Sequence, residues 1–329
     1  MSLWGKAYHW VQWHLLGGKQ HASDFAAQRE MNQRQRYDFP TENNGWHKSH
    51  SAPVYGDAQT GSIFDPQVIE YEGALLMSVS ERRTGSIILL RSNDGILWQK
   101  ECTLLKPRKY SWEHVANRSC LLHADGKWHL WYTGQHNNRS AIGHLVSESY
   151  MHFERPLRNN PILRAEMPTE GESVMNPCVL WNEKQHIFQM WYAAGESYEP
   201  DRLFYAESTD GDKWIKHPTP VLEKEPTHPW EQYKVGGCDV TLLLDGTYEM
   251  YYIGYQNVDV ARICYATSTD GIHWLRNNNL CLSPSPDSWD SDAIYKPSSI
   301  TYKGKKYLWY NGRAGNQEYI GLAVKEEEK

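Results

Sequence analysis

Along the chain, short apolar runs and turn residues recur in one order: an apolar strand, a turn, then a strand rich in aromatic residues. The order occurs five times, in FDPQVIEYEGALLMSV, NRSCLLHADGKWHLWYTG, NPCVLWNEKQHIFQMWYAAG, CDVTLLLDGTYEMYYIG and KPSSITYKGKKYLWYNG. Taking Asp65, Asn117, Asn176, Asp239 and Lys296 as the strand starts, the copies are separated by 52, 59, 63 and 57 residues. A four-stranded propeller blade needs about 40–45 residues, so each repeat has enough chain for one blade and its loops. The pattern therefore predicts an all-β chain folded as a five-bladed β-propeller.

A second signal follows the first four of these five units. It reads Ser92-x-Asp94-Gly95-x-x-Trp98, Ser208-x-Asp210-Gly211-x-x-Trp214 and Ser268-x-Asp270-Gly271-x-x-Trp274, with a degenerate copy from Ser147 to Phe153 that lacks Asp-Gly. Gly accepts the positive φ that tight turns require, so Asp-Gly between apolar runs predicts a hairpin, with the Trp capping the blade edge. The first role of this motif is structural. The fifth copy of the repeat runs out soon after IGLAVKEEEK, so its outer strand is expected from the segment before Asp65, such as residues 52–61. Residues 1–45, polar with an amphipathic helical spacing over residues 3–16, are expected to form a short N-terminal extension, leaving 46–329 for the propeller.

Composition then narrows the chemistry. Fifteen Trp and 21 Tyr stand against 6 Phe. Trp and Tyr combine a flat apolar face with a polar tip, which suits hydrated β-sheets and sugar rings alike. A net charge of −6 without a long basic run argues against nucleic acid as partner. No apolar run approaches the roughly 20 residues of a membrane helix, and the first residues lack a signal-peptide core. The six cysteines are widely spaced, with no C-x-x-C pair. They read as reduced buried thiols, which fits a cytoplasmic setting slightly better than export, although a trimmed leader would reconcile the chain with secretion. No ligand-spaced His cluster occurs, so neither a catalytic metal nor a cofactor is expected.

In a propeller, residues opening the inner strands converge at one face of the axis. Here those positions hold Asp65, Asn117 with Arg118, Asn176, Asp239 and Lys296, while Arg82, Tyr255 and Arg313 end second strands near the same face. Glycoside hydrolysis needs two carboxyl groups flanking the scissile bond, which points to an oligosaccharide or polysaccharide substrate. Asp65 is the expected base or nucleophile, held ionised by neighbouring Arg or Lys. Glu196, kept protonated by burial, is the expected acid, and Asp239 competes for that role. Glu113 and Glu172 are weaker loop candidates. Arg82, Asn117, Arg118, Asn176, Tyr255, Lys296 and Arg313 are expected to bind substrate, and so many cations suit an anionic sugar as well as they suit charge balance. Trp112, Tyr198, Tyr255 and Trp289 are candidate stacking faces.

Residues 50–325 resemble the five-bladed propeller glycosidases, a group spanning arabinanases and β-xylosidases (glycoside hydrolase family 43), invertases and levanases (family 32), and mannoside phosphorylases. Phe64-Asp65-Pro66 with Gly73 is similar to the blade-one setting of the general base in the first group, so the resemblance implies that role for Asp65. FQMWYAAGESYEPDRLFYAESTDG and YLWYNGR resemble predicted glycosidases associated with bacterial polysaccharides. The chain departs from these patterns in lacking a Glu-Gly-Pro acid motif and in carrying Asn117-Arg118 where an Arg-Asp-Pro is expected. The resemblance implies a glycosidase. A glycoside phosphorylase and a non-catalytic glycan-binding propeller are the alternatives.

Overall fold

The computed structural model describes residues 35–156, 160–196 and 200–326. The expected helix over residues 3–16 and the candidate Tyr198 lie outside them. Five antiparallel sheets surround an axis, and their first strands pack against one another in ring order. Blade one comprises Ile63–Tyr71, Ala74–Glu81, Ser86–Ser92 and Gln99–Leu105. Blade two comprises Val115–Ala124, Lys127–His136 and Arg139–Ser147. Blades three and four begin with Ser173–Asn182 and Lys234–Leu242, continue through Ile187–Gly195 and Tyr248–Tyr255, and add Arg202–Ser208 and Ala261–Ser268. Their short outer strands are Ile215–Lys216 and Leu275–Arg276. Blade five is Ala293–Tyr302, Lys305–Ala314 and Gln317–Glu326, and its outer strand is His47–Lys48, paired with Val324 and Ala323. The ring thus closes with chain from before Asp65. The strand lies upstream of the expected 52–61, within which Tyr55 adds only a single bridge to Ile320.

The Ser-x-Asp-Gly-x-x-Trp hairpins explain why blades share one geometry. In blade one, Ser92 Oγ accepts from the N–H groups of Asp94 and Gly95, and Asp94 Oδ1 accepts from those of Ile96 and Leu97. Gly95, at φ 77°, leaves its carbonyl accepting from two indoles, Trp98 of its own hairpin and Trp309 of blade five. Trp131 donates in the same way to Gly211 of the next blade, and Trp191 to Gly271. The motif is therefore a fastener between blades. Blade two, whose copy lacks Asp-Gly, has no fourth strand among the described residues.

A second repeated device sits just before four inner strands. Glu113, Glu170, Glu231 and Asp290 are buried, and each accepts from a Tyr hydroxyl of its blade's second strand: Tyr132, Tyr192, Tyr252 and Tyr310, at 2.7, 2.7, 2.9 and 3.1 Å. Each also pairs with a cation, respectively Arg155, Lys216, Arg276 and Lys48, at 2.8, 2.9, 3.1 and 2.7 Å. Glycines make room for these arms: a Cβ on Gly134, Gly254 or Gly312 would fall within 3.1 Å of Glu113, Glu231 or Asp290. Glu113 is accordingly a structural anchor rather than a loop carboxylate at the rim. Trp112 and Trp289 stack on Tyr132 and Tyr310 behind these anchors, which accounts for them by packing.

Residues 35–46 lie against blades four and five. Arg36 pairs with Asp292, Phe39 meets Trp230 edge-on, and the fully buried Arg262 donates to the carbonyls of Gln35 and Arg36.

Candidate active site

Each inner strand carries the same irregularity near its start. The ladder to the second strand slips between Phe64 and Gln67, between Asn117 and Cys120, between Gly236 and Cys238, between Tyr295 and Ser298, and in blade three opposite Trp191 and Ala193. In four blades the bulge contains a non-glycine residue with positive φ: Asp65 at 58°, Arg118 at 52°, Asn176 at 55° and Lys296 at 49°. Left-handed backbone costs a side-chain-bearing residue about 1–2 kcal/mol, and here that strain aims four polar side chains at one axial cavity. Blade four places Gly237 in its bulge, where a Cβ would come within 2.8 Å of the Asn176 side chain. The empty fifth position is thus what accommodates Asn176.

The cavity has a volume of about 610 Å³ and is bordered by Asp65 and by all seven residues expected to bind substrate: Arg82, Asn117, Arg118, Asn176, Tyr255, Lys296 and Arg313. Asp65 is 4% exposed, and Ser80 Oγ donates to its carboxylate at 3.2 Å. Burial pushes its carboxyl above the usual range; Arg118 and Lys296 oppose this without overcoming it. Desolvation of the enclosed carboxylate thus outweighs the two cations expected to lower it.

The cavity also holds groups that sequence reasoning did not single out. Glu318, 7% exposed, accepts from Arg82 and from the Tyr295 hydroxyl. Arg82 lies over the Phe64 ring, and Lys234 lies 4.7 Å from the centre of the Tyr255 ring. Glu318 opens the third strand of blade five, an element whose start carries no repeated signal. Asn117 Nδ2 donates to Gln135 Oε1 at 2.8 Å. Asn117 Oδ1, Gln135 Nε2 and Asn176 Oδ1 are buried without a hydrogen-bond partner among the described residues. Buried polar atoms left unpaired cost about 1–3 kcal/mol each, so a ligand presenting hydroxyls gains by meeting them.

Two expected catalytic residues fall elsewhere. Asp239 sits two residues beyond Gly237, paired with Tyr251 in the regular ladder, and borders a separate chamber of about 280 Å³ with Cys120, Cys178 and Cys238. Ser299 donates to it from both N–H and Oγ at 2.8 Å, and burial pushes its carboxyl up to about 6. Only Lys296 borders both chambers among the charged residues named here. Glu196 is exposed and borders neither, contrary to the burial expected of a protonated acid. Its strand ends at Gly195, where Gly171 bridges backbone to backbone and the Glu172 N–H donates to the Gly195 carbonyl at 3.0 Å, so the chain leaves the axis before Glu196. Glu172 itself is exposed and pairs with Arg139. No cluster of three or more His, Cys, Asp or Glu arranged to hold a metal occurs among the described residues.

The model of the glycosyl hydrolases family 32 N-terminal domain matches residues 18–117, which include Asp65 and its blade. The fold is that of propeller glycoside hydrolases. A thermostable family-43 glycoside hydrolase superposes with a TM-score of 0.62 at 16% identity, covering 79% of this chain and 88% of its own. A member of a family of mannoside phosphorylases that contains glycoside hydrolases targeting β-1,2 mannosidic linkages in Candida mannan gives 0.66 at 14%, covering 87% and 94%. In sequence, an uncharacterized protein of Mycobacterium tuberculosis is 29% identical over 210 residues, 60% of this chain and 67% of that protein. A 1,2-β-oligomannan phosphorylase of a Thermoanaerobacter species is 31% identical over 144 residues, 40% of this chain and 47% of that enzyme. Together these support a glycoside-processing propeller enzyme, of hydrolase or phosphorylase type.

Proposed function

We propose that this chain hydrolyses a glycosidic bond in its axial cavity, with Asp65 and Glu318 as the carboxyl pair. The observation that carries the reading is that one cavity holds two buried carboxyl groups with different partners. Asp65 is enclosed and its carboxyl is pushed up, whereas Glu318 accepts from a guanidinium and a phenol. A carboxyl raised by burial is suited to hold the proton that a general acid delivers. Asp65 then donates its proton to the glycosidic oxygen as the bond to the anomeric carbon breaks, and Glu318 takes a proton from the water that attacks that carbon. Asn117 and Asn176 offer their unpaired oxygens to sugar hydroxyls. Arg118 and Lys296 beside Asp65 favour substrates with an anionic substituent.

The test is turnover of aryl glycosides and bacterial polysaccharides by wild type, Asp65→Asn, Glu318→Gln and Glu196→Gln. Losses of about 10²-fold or more are expected for the first two variants, the scale of general acid–base catalysis. Glu196→Gln should behave as wild type. An active enzyme indifferent to both cavity substitutions would sink the assignment.

Phosphorolysis is the second reading, favoured by the five cations Arg82, Arg118, Lys234, Lys296 and Arg313 around one cavity and by the oligomannan phosphorylase relative. Inorganic phosphate in the assay decides between them: phosphorolysis requires it and yields a sugar phosphate, hydrolysis does neither. Glycan binding with no turnover under either condition would instead support a lectin-like propeller.

A further inference from the structure

Beside each bulge, the second strand of the blade holds an equivalent position, fixed by the ladder opposite the residue that precedes the extruded one. These positions are Ser80 opposite Phe64, Thr133 opposite Asn117, Ala193 opposite Met175, Ile253 opposite Gly236 and Asn311 opposite Tyr295. All five are buried. Packing alone asks for an apolar side chain at each, as in blades three and four. The other three carry a side-chain oxygen, and each oxygen reaches into the following blade. Ser80 Oγ accepts from the Arg118 N–H at 3.1 Å, Thr133 Oγ1 from the Asn176 N–H at 3.1 Å, and Asn311 Oδ1 from the Asp65 N–H at 3.2 Å. All three N–H groups belong to bulge residues with left-handed backbone, so these bonds hold strained turns where the regular ladder is interrupted.

Ser80 differs from the other two in what else it meets. Its Oγ also donates to Asp65 Oδ2 at 3.2 Å, so one hydroxyl joins the carboxyl of blade one to the backbone that presents Arg118 from blade two. An N–H donating to Oγ leaves the hydroxyl proton free to point at the carboxylate. With Oδ2 accepting in this way, Oδ1 is the favoured seat of the proton that Asp65 carries. Asn311 thus fixes the backbone of Asp65, and Ser80 its carboxyl. The charged and titratable groups that act on Asp65 from the surrounding elements are Arg118 of blade two, Lys296, Tyr295 and Glu318 of blade five, and Arg82 just beyond its own second strand.

We propose that Ser80 is a positioning residue for Asp65, fixing the orientation of its carboxyl and tying it to the turn that presents Arg118. A hydroxyl bonds a charged acceptor more tightly than a neutral one, so the Ser80 bond favours the anion left once Asp65 has delivered its proton. It works against burial and keeps the carboxyl from rising further. This inference rests on the acid role given to Asp65 above.

The experiment compares full-length wild type, Ser80→Ala, Ser80→Thr and Asp65→Asn. It reads the pH dependence of kcat and KM on the aryl glycosides that wild type turns over, the melting temperature, and an NMR titration of protein labelled at the aspartate carboxyl carbons. The Asp65 signal is identified by its loss in Asp65→Asn. Ser80→Ala should lower kcat roughly tenfold with KM near wild type, as expected of a misplaced proton donor. The Asp65 titration, and with it the basic limb of the rate profile, should move about one pH unit higher, because the anion has lost a hydrogen bond. Ser80→Thr, which keeps the hydroxyl as Thr133 does in blade two, should recover both. An unmoved Asp65 titration in Ser80→Ala overturns the proposal, as does a fall in kcat matched by loss of the folded state. The two readings fail separately: turnover indifferent to Asp65→Asn sinks the acid role, while the NMR titration still decides whether Ser80 holds the Asp65 carboxyl.

Discussion

The periphery of the propeller and its axis are built from equivalent positions of one repeat, yet they behave in opposite ways. At the periphery the same chemistry recurs from blade to blade: a buried carboxylate held by a tyrosine and a cation, and an indole donating to a glycine carbonyl of the neighbouring blade. At the axis the corresponding bulge residues are Asp65, Arg118, Asn176 and Lys296, with Gly237 in the place of blade four. Each of the four anchoring carboxylates meets a tyrosine and a cation within the fold. The axial set instead combines strained backbone, an enclosed carboxyl and unpaired amide oxygens. Repetition marks what every blade needs in order to stand, and divergence at equivalent positions marks what the assembled ring does.

That contrast predicts separable losses. The largest expected effect is at the axis: Asp65→Asn should lower kcat/KM by about 10²-fold or more, with thermal stability retained or raised, because the substitution removes a buried ionisable group. A fall in activity matched by loss of the folded state would erase the distinction between the two regions. Next comes the periphery. Glu231→Ala leaves Arg276 and the Tyr252 hydroxyl buried without their partner, and breaking a buried pair costs about 3–5 kcal/mol, to be read from urea unfolding. A shift below about 1 kcal/mol would show the anchor to be incidental.

Asp239 gives a smaller, pH-dependent effect. Its folded-state carboxyl is raised to about 6, against about 3.9 in an unfolded chain, so the native state binds the proton more tightly. Its contribution to stability is present at acid pH and is lost as pH rises from about 4 through about 6. Asp239→Asn should therefore gain in melting temperature relative to wild type between pH 4 and 7, while turnover stays near wild type; a constant difference across that range would contradict the assignment. The smallest expected effect is that of Trp191→Phe, which removes the 2.8 Å bond to the Gly271 carbonyl and part of a buried ring. About 1–2 kcal/mol is expected from the hydrogen bond and lost packing, again by urea unfolding, without a specific change in KM.

Much of the site was legible because strand ends in a ring must converge. All seven residues expected to bind substrate, from Arg82 to Arg313, border the cavity. The errors share a cause. The repeat spacing puts Asn117 at the strand start where Arg118 occupies the bulge, and Asp239 at the blade-four position that Gly237 holds. A bulge shifts the ladder by one residue, and periodicity in the sequence carries no mark of which residue is extruded. Glu196 was misplaced because the Gly171–Gly195 contact, which ends its strand's approach to the axis, joins distant segments. Glu318 escaped notice because its importance depends on Arg82 and Tyr295 from other strands.

The sequence by itself determined the number of blades, the hairpin fasteners and the face on which function gathers, since these follow from local turn chemistry repeated at a regular interval. Tertiary structure alone decided the charge environment of Asp65, the pairing of Glu318 and the isolation of Asp239 in a second chamber. Burial and electrostatic coupling depend on what the other blades bring within a few ångströms, and no spacing along one chain specifies that distance.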